Sequence, residues 1–357
     1  MEPRTLVQPE HLPVDLDSVG LLISQTQKET GEIPWCPNDK TDPWDMVEAA
    51  MGVGIAGYIK EAQKAFEWLA KNRLPDGSWY SAYRNGLPED KTRETNMTAY
   101  IAVGVFHHFL ITGDIAFLRY MWKTVKSAID FAINLQTENG EIYWAYNPEG
   151  EVDPMALLTG SSSIYMSIKC ALAIAEELGF HRSGWKAALI KLGNAIRYKQ
   201  HLFDKSKSRF SMDWFYPILC GAFAGSDAQR RVDLYWNKFV VVGKGVRCVS
   251  DEPWITVAET SELALALHAM GNRKLSKMVF DWIQDKRFDD GSYWCGVTFP
   301  DGVIWPEDKL TWTNAVVLMA ADALFSITPA GEIFNHNFWK SSGYLSLRDV
   351  LPHSHNA

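Results

Sequence analysis

The chain contains few cysteines and lacks the spacings that mark a disulfide framework or a zinc site. There are 5 Cys among 357 residues, an odd number, scattered and without a CxxC pair. Structural zinc sites and disulfide-linked small domains bring cysteines together at short, regular intervals. We therefore expect free thiols, no metal and no cofactor. Reduced thiols are typical of a cytoplasmic protein, which is the location we predict.

Long apolar runs and basic clusters are also missing. No stretch reaches the roughly 18 apolar residues of a membrane span, and residues 1–17 lack the basic and apolar segments of a signal peptide. Asp and Glu outnumber Lys and Arg by 43 to 35, a formal net charge of −8. Nucleic-acid phosphates need a concentrated basic surface, so a nucleic-acid partner is not expected.

A short phrase recurs along the chain, in which a polar residue precedes a glycine-containing turn and an aromatic residue. Repetition of this kind indicates a repeat architecture, because one unit cannot bury its apolar face without a neighbouring copy. Four copies are clear, and they read SQTQKETGEIPW, AKNRLPDGSWY, NLQTENGEIYW and IQDKRFDDGSYW, ending at Trp35, Tyr80, Trp144 and Trp294.

Apolar residues at helical spacing predict twelve helices between these phrases. The helices alternate in kind: one of each pair has Lys and Glu on one face, and the next is apolar around its whole circumference. Six exposed and six enclosed helices predict an all-α (α/α)6 toroid, a double ring, as one domain over residues 1–357 with an irregular tail from about residue 329. The predicted helices span 14–27, 44–58, 60–73, 94–112, 114–136, 158–179, 185–202, 211–224, 227–242, 256–270, 272–287 and 310–327.

The amino ends of the inner helices should gather at one mouth of the ring, where free N–H groups favour carboxylates. Asp, Ser and Thr at these positions are ordinary helix caps. Capping does not explain why Trp accompanies an acid in DPWD, MDW, DEPW and WPED. Aromatic faces beside carboxylates are typical of sites for polyhydroxylated ligands. The predicted substrate-binding residues are Trp44, Asp45, Arg93, Glu94, Trp144, Asp213, Trp214, Glu252, Trp254 and Trp312.

The repeated phrase resembles the QW-type repeat of class II terpene cyclases, the squalene-hopene cyclase group, whose relatives include the protein prenyltransferase β subunits. The resemblance implies a toroid of helix pairs. The chemistry of the cyclases needs a DxDD motif, which does not occur in this chain. A grouping of Asp, Cys and His like that of the prenyltransferases is equally missing. A terpenoid-cyclising or isoprenoid-binding toroid is therefore kept as an alternative function.

Two segments resemble glucoamylase-like six-hairpin glycosidases. NGEIYW followed by LLTGSSSIYMSIKCALAIAEELG is similar to the stretch in which the general acid precedes a Gly-Ser-Ser helix. WPEDKLTWTNAVVLMAADAL is similar to the stretch in which the general-base Glu precedes a Leu-Thr-Trp helix. The resemblance implies Glu307 as base. It implies an acid from the loop beyond Trp144, where Glu149, Glu151 and Asp153 are the candidates, because Ala145 stands where the family has Glu.

The expected function is carbohydrate processing by an inverting glycoside hydrolase. One carboxylic acid would protonate the leaving oxygen while a carboxylate opposite, roughly 6.5–9.5 Å away, activates water. The catalytic residues predicted on this basis are Glu307, Asp153 and Glu151. The partner would be a small-molecule or oligosaccharide substrate. A non-catalytic sugar-binding protein is the third hypothesis.

Overall fold

A computed structural model describes residues 12–344 of the chain. Fourteen α-helices lie in this part. In chain order they are α1 (Leu16–Thr26), α2 (Pro43–Ile55), α3 (Ile59–Asn72), α4 (Thr95–Ala99), α5 (Ile101–Thr112), α6 (Ile115–Ile133), α7 (Leu158–Glu177), α8 (Ser183–Tyr198), α9 (Ser211–Leu219), α10 (Gly225–Phe239), α11 (Val257–Ala269), α12 (Arg273–Asp281), α13 (Thr311–Phe325) and α14 (His336–Ser341).

The inner helices form a closed ring. α13 packs on α2, and contacts then run from α2 to α5, α7, α9, α11 and back to α13. The outer helices α1, α3, α6, α8, α10 and α12 pack on the outside of this ring, each against an inner helix next to it in the chain. The described chain is therefore a helical toroid, as predicted from the alternation of helix types.

Burial explains which helices line the ring. Every residue of α11 is buried, Glu259 and Glu262 included, because the rest of its surface is mostly apolar or small and neighbours surround it. α3 buries one stripe at helical spacing, from Ala62 through Phe66 to Leu69, and leaves Lys and Glu in solvent. The difference between the two helix types thus follows from their sequences alone.

The repeated phrase is the joint between successive hairpins. Gln136 Nε2 donates to the carbonyl of Gly140 within the phrase and to that of Ala188 in the next outer helix, α8. Gly140 has a φ of +108°, and a Cβ there would lie 2.5 Å from the carbonyl oxygen of Lys191. Gln27 makes the same pair of bonds, to Gly31 and to α3. The similarity to the cyclase repeat therefore reflects how one helical hairpin packs on the next.

Nine short strands, which the all-α prediction omitted, lie in the loops of the described chain. They form a β1-β2 hairpin, a β3-β4-β5 sheet and a β6-β7-β8-β9 sheet, all antiparallel. Strands of two to four residues are too short to show the alternation that predicts a strand. The strands are β1 (Ala82–Arg84), β2 (Leu87–Asp90), β3 (Arg93–Glu94), β4 (Ala145–Tyr146), β5 (Val152–Asp153), β6 (Val240–Val241), β7 (Gly245–Arg247), β8 (Trp254–Thr256) and β9 (Gly296–Thr298).

Part of the predicted irregular tail is ordered. Pro329–Glu332 forms a 3-10 turn and α14 follows it, whereas residues 345–357 of that tail lie outside the described residues. Residues 1–11 of the segment expected to lack a signal peptide also lie outside them. The single-domain interpretation over 1–357 stays a prediction. Among the helices of residues 12–344, none combines the length and apolar composition that a bilayer span requires.

Candidate active site

Two inner helices each carry a pair of acidic residues three positions apart. α2 carries Asp45 and Glu48, and α11 carries Glu259 and Glu262. A spacing of three puts both members of a pair on one helix face, with the first member a turn nearer the mouth. α13 contacts both α2 and α11 and lies between them in the ring. The charges interact, because Glu48 and Glu259 both raise the pKa of Glu262.

Asp45 lies in the first turn of α2 and is half-buried. Its backbone N–H donates to the capping carboxylate of Asp42 at 2.9 Å, and Asp42 also accepts from Trp35 Nε1 at 2.7 Å. Burial, followed by the charges of Asp42 and Glu48, holds the pKa of the Asp45 carboxyl well above its usual range. A carboxyl that keeps its proton near neutral pH can act as a general acid.

Glu48 lies one turn deeper and is 3% exposed. Its Oε1 accepts from Trp44 Nε1 at 2.9 Å and from the Tyr100 hydroxyl at 3.4 Å. Burial raises the pKa of Glu48 to about 8, although the Trp44 hydrogen bond lowers it. Trp44 stacks on Tyr100 with ring centroids 4.4 Å apart, so these two rings form a wall against the carboxyl group.

The α11 pair is built similarly. The Tyr216 hydroxyl donates to Glu262 Oε1 at 2.6 Å, and burial with the neighbouring charges of Glu48 and Glu259 holds the pKa of Glu262 well above its usual range. Glu259 is 8% exposed. Its Oε2 accepts no hydrogen bond from any of the residues 12–344. This oxygen is therefore suited to bind a proton donor such as water or a sugar hydroxyl.

Other buried polar atoms at the amino ends of the inner helices are also unpaired within the described chain. An unpaired buried polar group costs about 1–3 kcal/mol, so a ring of them favours a polar ligand over an apolar one. These atoms are Asn96 Oδ1, Ser161 Oγ, Ser211 Oγ, Thr256 Oγ1 and Trp312 Nε1.

Three predicted substrate-binding residues lie together in the loops that precede the second and third inner helices, and a fourth lies on α2. Glu94 accepts from Trp144 Nε1 at 2.9 Å and from Ser81 Oγ at 3.2 Å, and burial raises its pKa. Arg93 pairs with Asp76 and lies 4.8 Å over the Tyr146 ring. Asp45 belongs to the carboxylate pair of α2.

Two predicted aromatic platforms are largely covered by protein. Trp214 is 2% exposed and stacks on Phe239 with centroids 5.5 Å apart, which does not fit a role in stacking on a sugar. Trp44 is 8% exposed and faces Tyr100.

Asp213, also predicted to bind substrate, links two helices. Its Oδ1 accepts from the N–H and the hydroxyl of Thr159 in α7 at 3.1 and 2.6 Å.

The remaining three lie toward the rim. Glu252 is exposed and pairs with Arg209 at 3.4 Å. Trp254 is half-buried, and its Nε1 donates to the carbonyl of Trp305 at 2.8 Å. Trp312 is half-buried and meets Trp35 edge to face, with centroids 6.0 Å apart.

The predicted catalytic residues lie in outer loops. Glu307 and Glu151 are exposed and Asp153 is half-buried in β5, where its Oδ1 accepts from the Met155 N–H at 3.0 Å. None of the three belongs to the buried carboxylate pairs, and their catalytic roles stay predictions. The prediction did not assign roles to Glu48, Glu259 and Glu262. The sequence feature that could have identified them is a pair of acidic residues, three positions apart, inside a helix that is otherwise mostly apolar.

Within residues 12–344, no group of three His, Cys, Asp or Glu side chains is arranged to hold a metal ion. The site consists of carboxyl groups, aromatic rings and hydroxyls. Perturbed carboxyl groups gathered in this way are typical of catalytic sites.

Several solved structures share the toroidal fold of the described chain. A D-mannose isomerase matches with a TM-score of 0.68 at 11% identity, covering 87% of this chain and 96% of its own. A GH63 mannosylglycerate hydrolase from Thermus thermophilus matches with a TM-score of 0.67 at 11% identity, covering 85% and 99%. A structure described as a wild-type glycosidase gives 0.66 at 15% identity, covering 89% and 99%.

Sequence comparison gives the family. The chain is 46% identical over 312 residues to the MMP endo-(1,4)-3-O-methyl-alpha-D-mannosidase of Mycolicibacterium hassiacum, which covers 87% of this chain and 86% of that protein. The chain belongs to the family of this mannosidase and is a carbohydrate-processing glycoside hydrolase, which confirms the functional class predicted from sequence. No family model matches the chain.

Proposed function

We propose that the chain is an endo-acting glycosidase that hydrolyses 1,4-linked α-mannoside chains carrying 3-O-methyl groups. The observation that carries this proposal is the 46% identity, over 87% of the chain, to a relative named for that activity. The acidic surface suits such a substrate, because a methylated mannan bears no charge and offers hydroxyl donors to carboxylates.

Asp45 is the proposed general acid. Burial raises its pKa well above the usual range, which favours the protonated form that a general acid needs, and its half-buried position leaves it accessible from the mouth. It would donate that proton to the glycosidic oxygen as the bond from this oxygen to the anomeric carbon breaks.

Glu259 is the proposed general base. Its Oε2 has no partner among the described residues and would accept a proton from water as the water oxygen bonds to the anomeric carbon. α13 lies between α2 and α11 in the ring, so the two carboxyl groups come from different sides of the mouth. We propose inversion of configuration, in which a water as well as a sugar lies between two carboxyl groups roughly 6.5–9.5 Å apart.

Glu48 and Glu262 lie one helical turn deeper than Asp45 and Glu259, and we propose that they influence the ionisation of these two residues. Ionisation of Glu48 would raise the pKa of Asp45 further, because two neighbouring carboxyl groups resist ionising together. Glu94, Arg93, Trp144, Trp254 and Trp312 are proposed to contact substrate hydroxyls or ring faces.

The test is hydrolysis of 4-linked 3-O-methyl-α-mannan oligosaccharides, with products identified by mass spectrometry and by proton NMR of the first anomer released. We expect the β-anomer. Asp45→Asn and Glu259→Gln should each lower kcat by about 10²–10⁴, the usual contribution of general acid–base catalysis. Glu307→Gln and Asp153→Asn are the matched controls, and we expect them to keep activity within about twofold.

The controls also distinguish the pair proposed here, Asp45 and Glu259, from the pair predicted from sequence, Glu307 and Asp153. If Glu307→Gln and Asp153→Asn lose activity while Asp45→Asn and Glu259→Gln keep it, the pair predicted from sequence is catalytic. Release of the α-anomer would contradict inversion. Failure to cleave the oligosaccharides at all would refute the proposed substrate.

A further inference from the structure

Trp305 differs from every other tryptophan of the chain. All fifteen Trp lie within residues 12–344, and Trp305 alone is exposed, with 60% of its surface in solvent. Val303 and Phe299 on the same hairpin are 57% and 36% exposed. We call these three side chains the hairpin patch. A cluster of exposed apolar side chains indicates a binding surface, whereas a single one would not.

Hydrogen bonds hold the backbone of Trp305, and an edge-to-face contact with Trp254 restrains its exposed ring. The Trp305 N–H donates to the carbonyl of Gly296 at 3.0 Å, and the Trp305 carbonyl accepts from Trp254 Nε1 at 2.8 Å. The two indoles meet edge to face, with centroids 5.2 Å apart and planes at 71°. Trp254 lies so close to Gly296 that a Cβ there would stand 2.6 Å from its indole nitrogen. A ring restrained in this way loses little entropy when a ligand binds.

The hairpin patch continues the mouth outward. β9 pairs with β8, and β8 leads directly into α11, so that Trp254 precedes the proposed base Glu259 by five residues. The bridge between Val297 and Ile304 closes the hairpin and brings Trp305 beside β9. The hairpin patch and the carboxylate pair of α11 are therefore both held by the β8–β9 sheet.

The surroundings of the patch fit a neutral sugar chain. Asp301 and Asp308 are exposed in the same loop, where they can accept hydrogen bonds from hydroxyls while a ring lies flat on the indole. The same negative charges would repel nucleic-acid phosphates and anionic lipid surfaces. A polysaccharide offers both the apolar C–H face and the hydroxyl donors that this arrangement needs.

We propose that Trp305, supported by Trp254, is a distal subsite that stacks on a sugar ring several units from the cleaved bond. This inference rests on the proposed function, since an endo-acting enzyme binds a chain that extends beyond the reacting bond on both sides. Trp305 would therefore give a preference for long chains without touching the reacting atoms.

The experiment compares two lengths of 4-linked 3-O-methyl-α-mannan, of about four and about twelve sugars. Trp305→Ala should lower kcat/KM for the long chain about tenfold, the effect of one aromatic contact, and leave the short chain within about twofold. The loss should appear in KM and spare kcat, because the contact is the same in ground state and transition state. Trp305→Phe should recover most of the loss.

Tyr120→Ala is the matched control, since Tyr120 is an aromatic side chain 58% exposed on the outer helix α6; it should change neither substrate. Equal losses for both lengths, or no loss for the long chain, would overturn the inference while leaving the proposed function intact. A dimer that dissociates in Trp305→Ala, seen by light scattering, would assign the patch to contact between copies. A wild-type enzyme that cleaves neither length would refute the proposed function, and the subsite with it.

Discussion

Glu48 illustrates how burial controls a single carboxyl group in this molecule. It is 3% exposed, it accepts from Trp44 and Tyr100, and its pKa is raised to about 8 from 4.5. Hydrogen bonds to the charged form oppose this shift, but desolvation is the larger effect. Near neutral pH the group therefore keeps a proton, which avoids a bare charge in the ring.

Replacing Glu48 with Gln should flatten the dependence of stability on pH. Between pH 4.5 and 8 the folded wild type holds a proton that the unfolded chain releases, so its free energy of unfolding falls as pH rises, by up to about 1.4 kcal/mol per unit. The amide does not titrate, so the variant should lose less stability over this window. Urea denaturation at several pH values measures both slopes.

Glu67→Gln on the exposed face of α3 provides the control for that measurement, because Glu67 lies in solvent. Its slope should equal that of the wild type. If the Glu48→Gln and wild-type curves run parallel, Glu48 titrates near its ordinary value in the folded state and the burial argument is wrong.

The turn phrase acts at the level of the helix and loop. In two copies its Gln links the loop to the next outer helix, and its glycine allows the loop and that helix to approach closely. Gly77 does so against the carbonyl of Ser127 in α6, and Gly291 lies against Ser18 in α1, which closes the outer ring. The phrase therefore recurs in the sequence once for each such contact between a loop and the next outer helix.

Gly140→Ala should destabilise the protein by about 2–4 kcal/mol, since the left-handed backbone and the contact with the Lys191 carbonyl both penalise a Cβ. Gly184→Ala in the first turn of α8 is the control, because a Cβ there meets no atom within 4 Å. Guanidinium denaturation compares the two. Equal stability of the variants would show that the joint tolerates a side chain.

Helices could be predicted from the sequence, whereas the short strands could not. Each of the twelve predicted helices has a counterpart in the structure, because the helical period is repeated several times in each. The helix predicted over 94–112 is divided into α4 and α5, and α12 ends at Asp281, short of the predicted 287. α9 ends at Leu219, short of the predicted 224, where Gly221 takes a φ of +77°. The short strands form only because loops from different hairpins meet at the mouth.

For the whole molecule, α14 closes the end of the ring opposite the mouth. Trp339 is 5% exposed, donates to the Ile333 carbonyl at 2.7 Å and lies 4.4 Å from the Lys169 ammonium. His336 is 9% exposed and bonds the Ile218 carbonyl at 2.7 Å. The segment after α13 is thus part of the core.

Trp339→Ala should lower the free energy of unfolding by about 3–5 kcal/mol, the usual cost of removing a buried Trp. Trp305→Ala is the control, because that side chain is 60% exposed and its loss should cost little. Thermal unfolding measures both. A Trp339→Ala variant as stable as Trp305→Ala would show that α14 only rests on the barrel.

The helices and their alternation around the ring follow from the sequence, because helical period and turn residues act over short stretches of chain. The positions of the carboxyl groups relative to one another depend on how the ring closes. Asp45 and Glu259 are far apart in the chain, and closure of the ring brings α2 and α11 to either side of α13. Burial then shifts the pKa of Asp45, Glu48 and Glu262. Burial depends on every neighbouring helix, so the acidic pairs could be located in the sequence but the shifts of their pKa values could not be predicted from it.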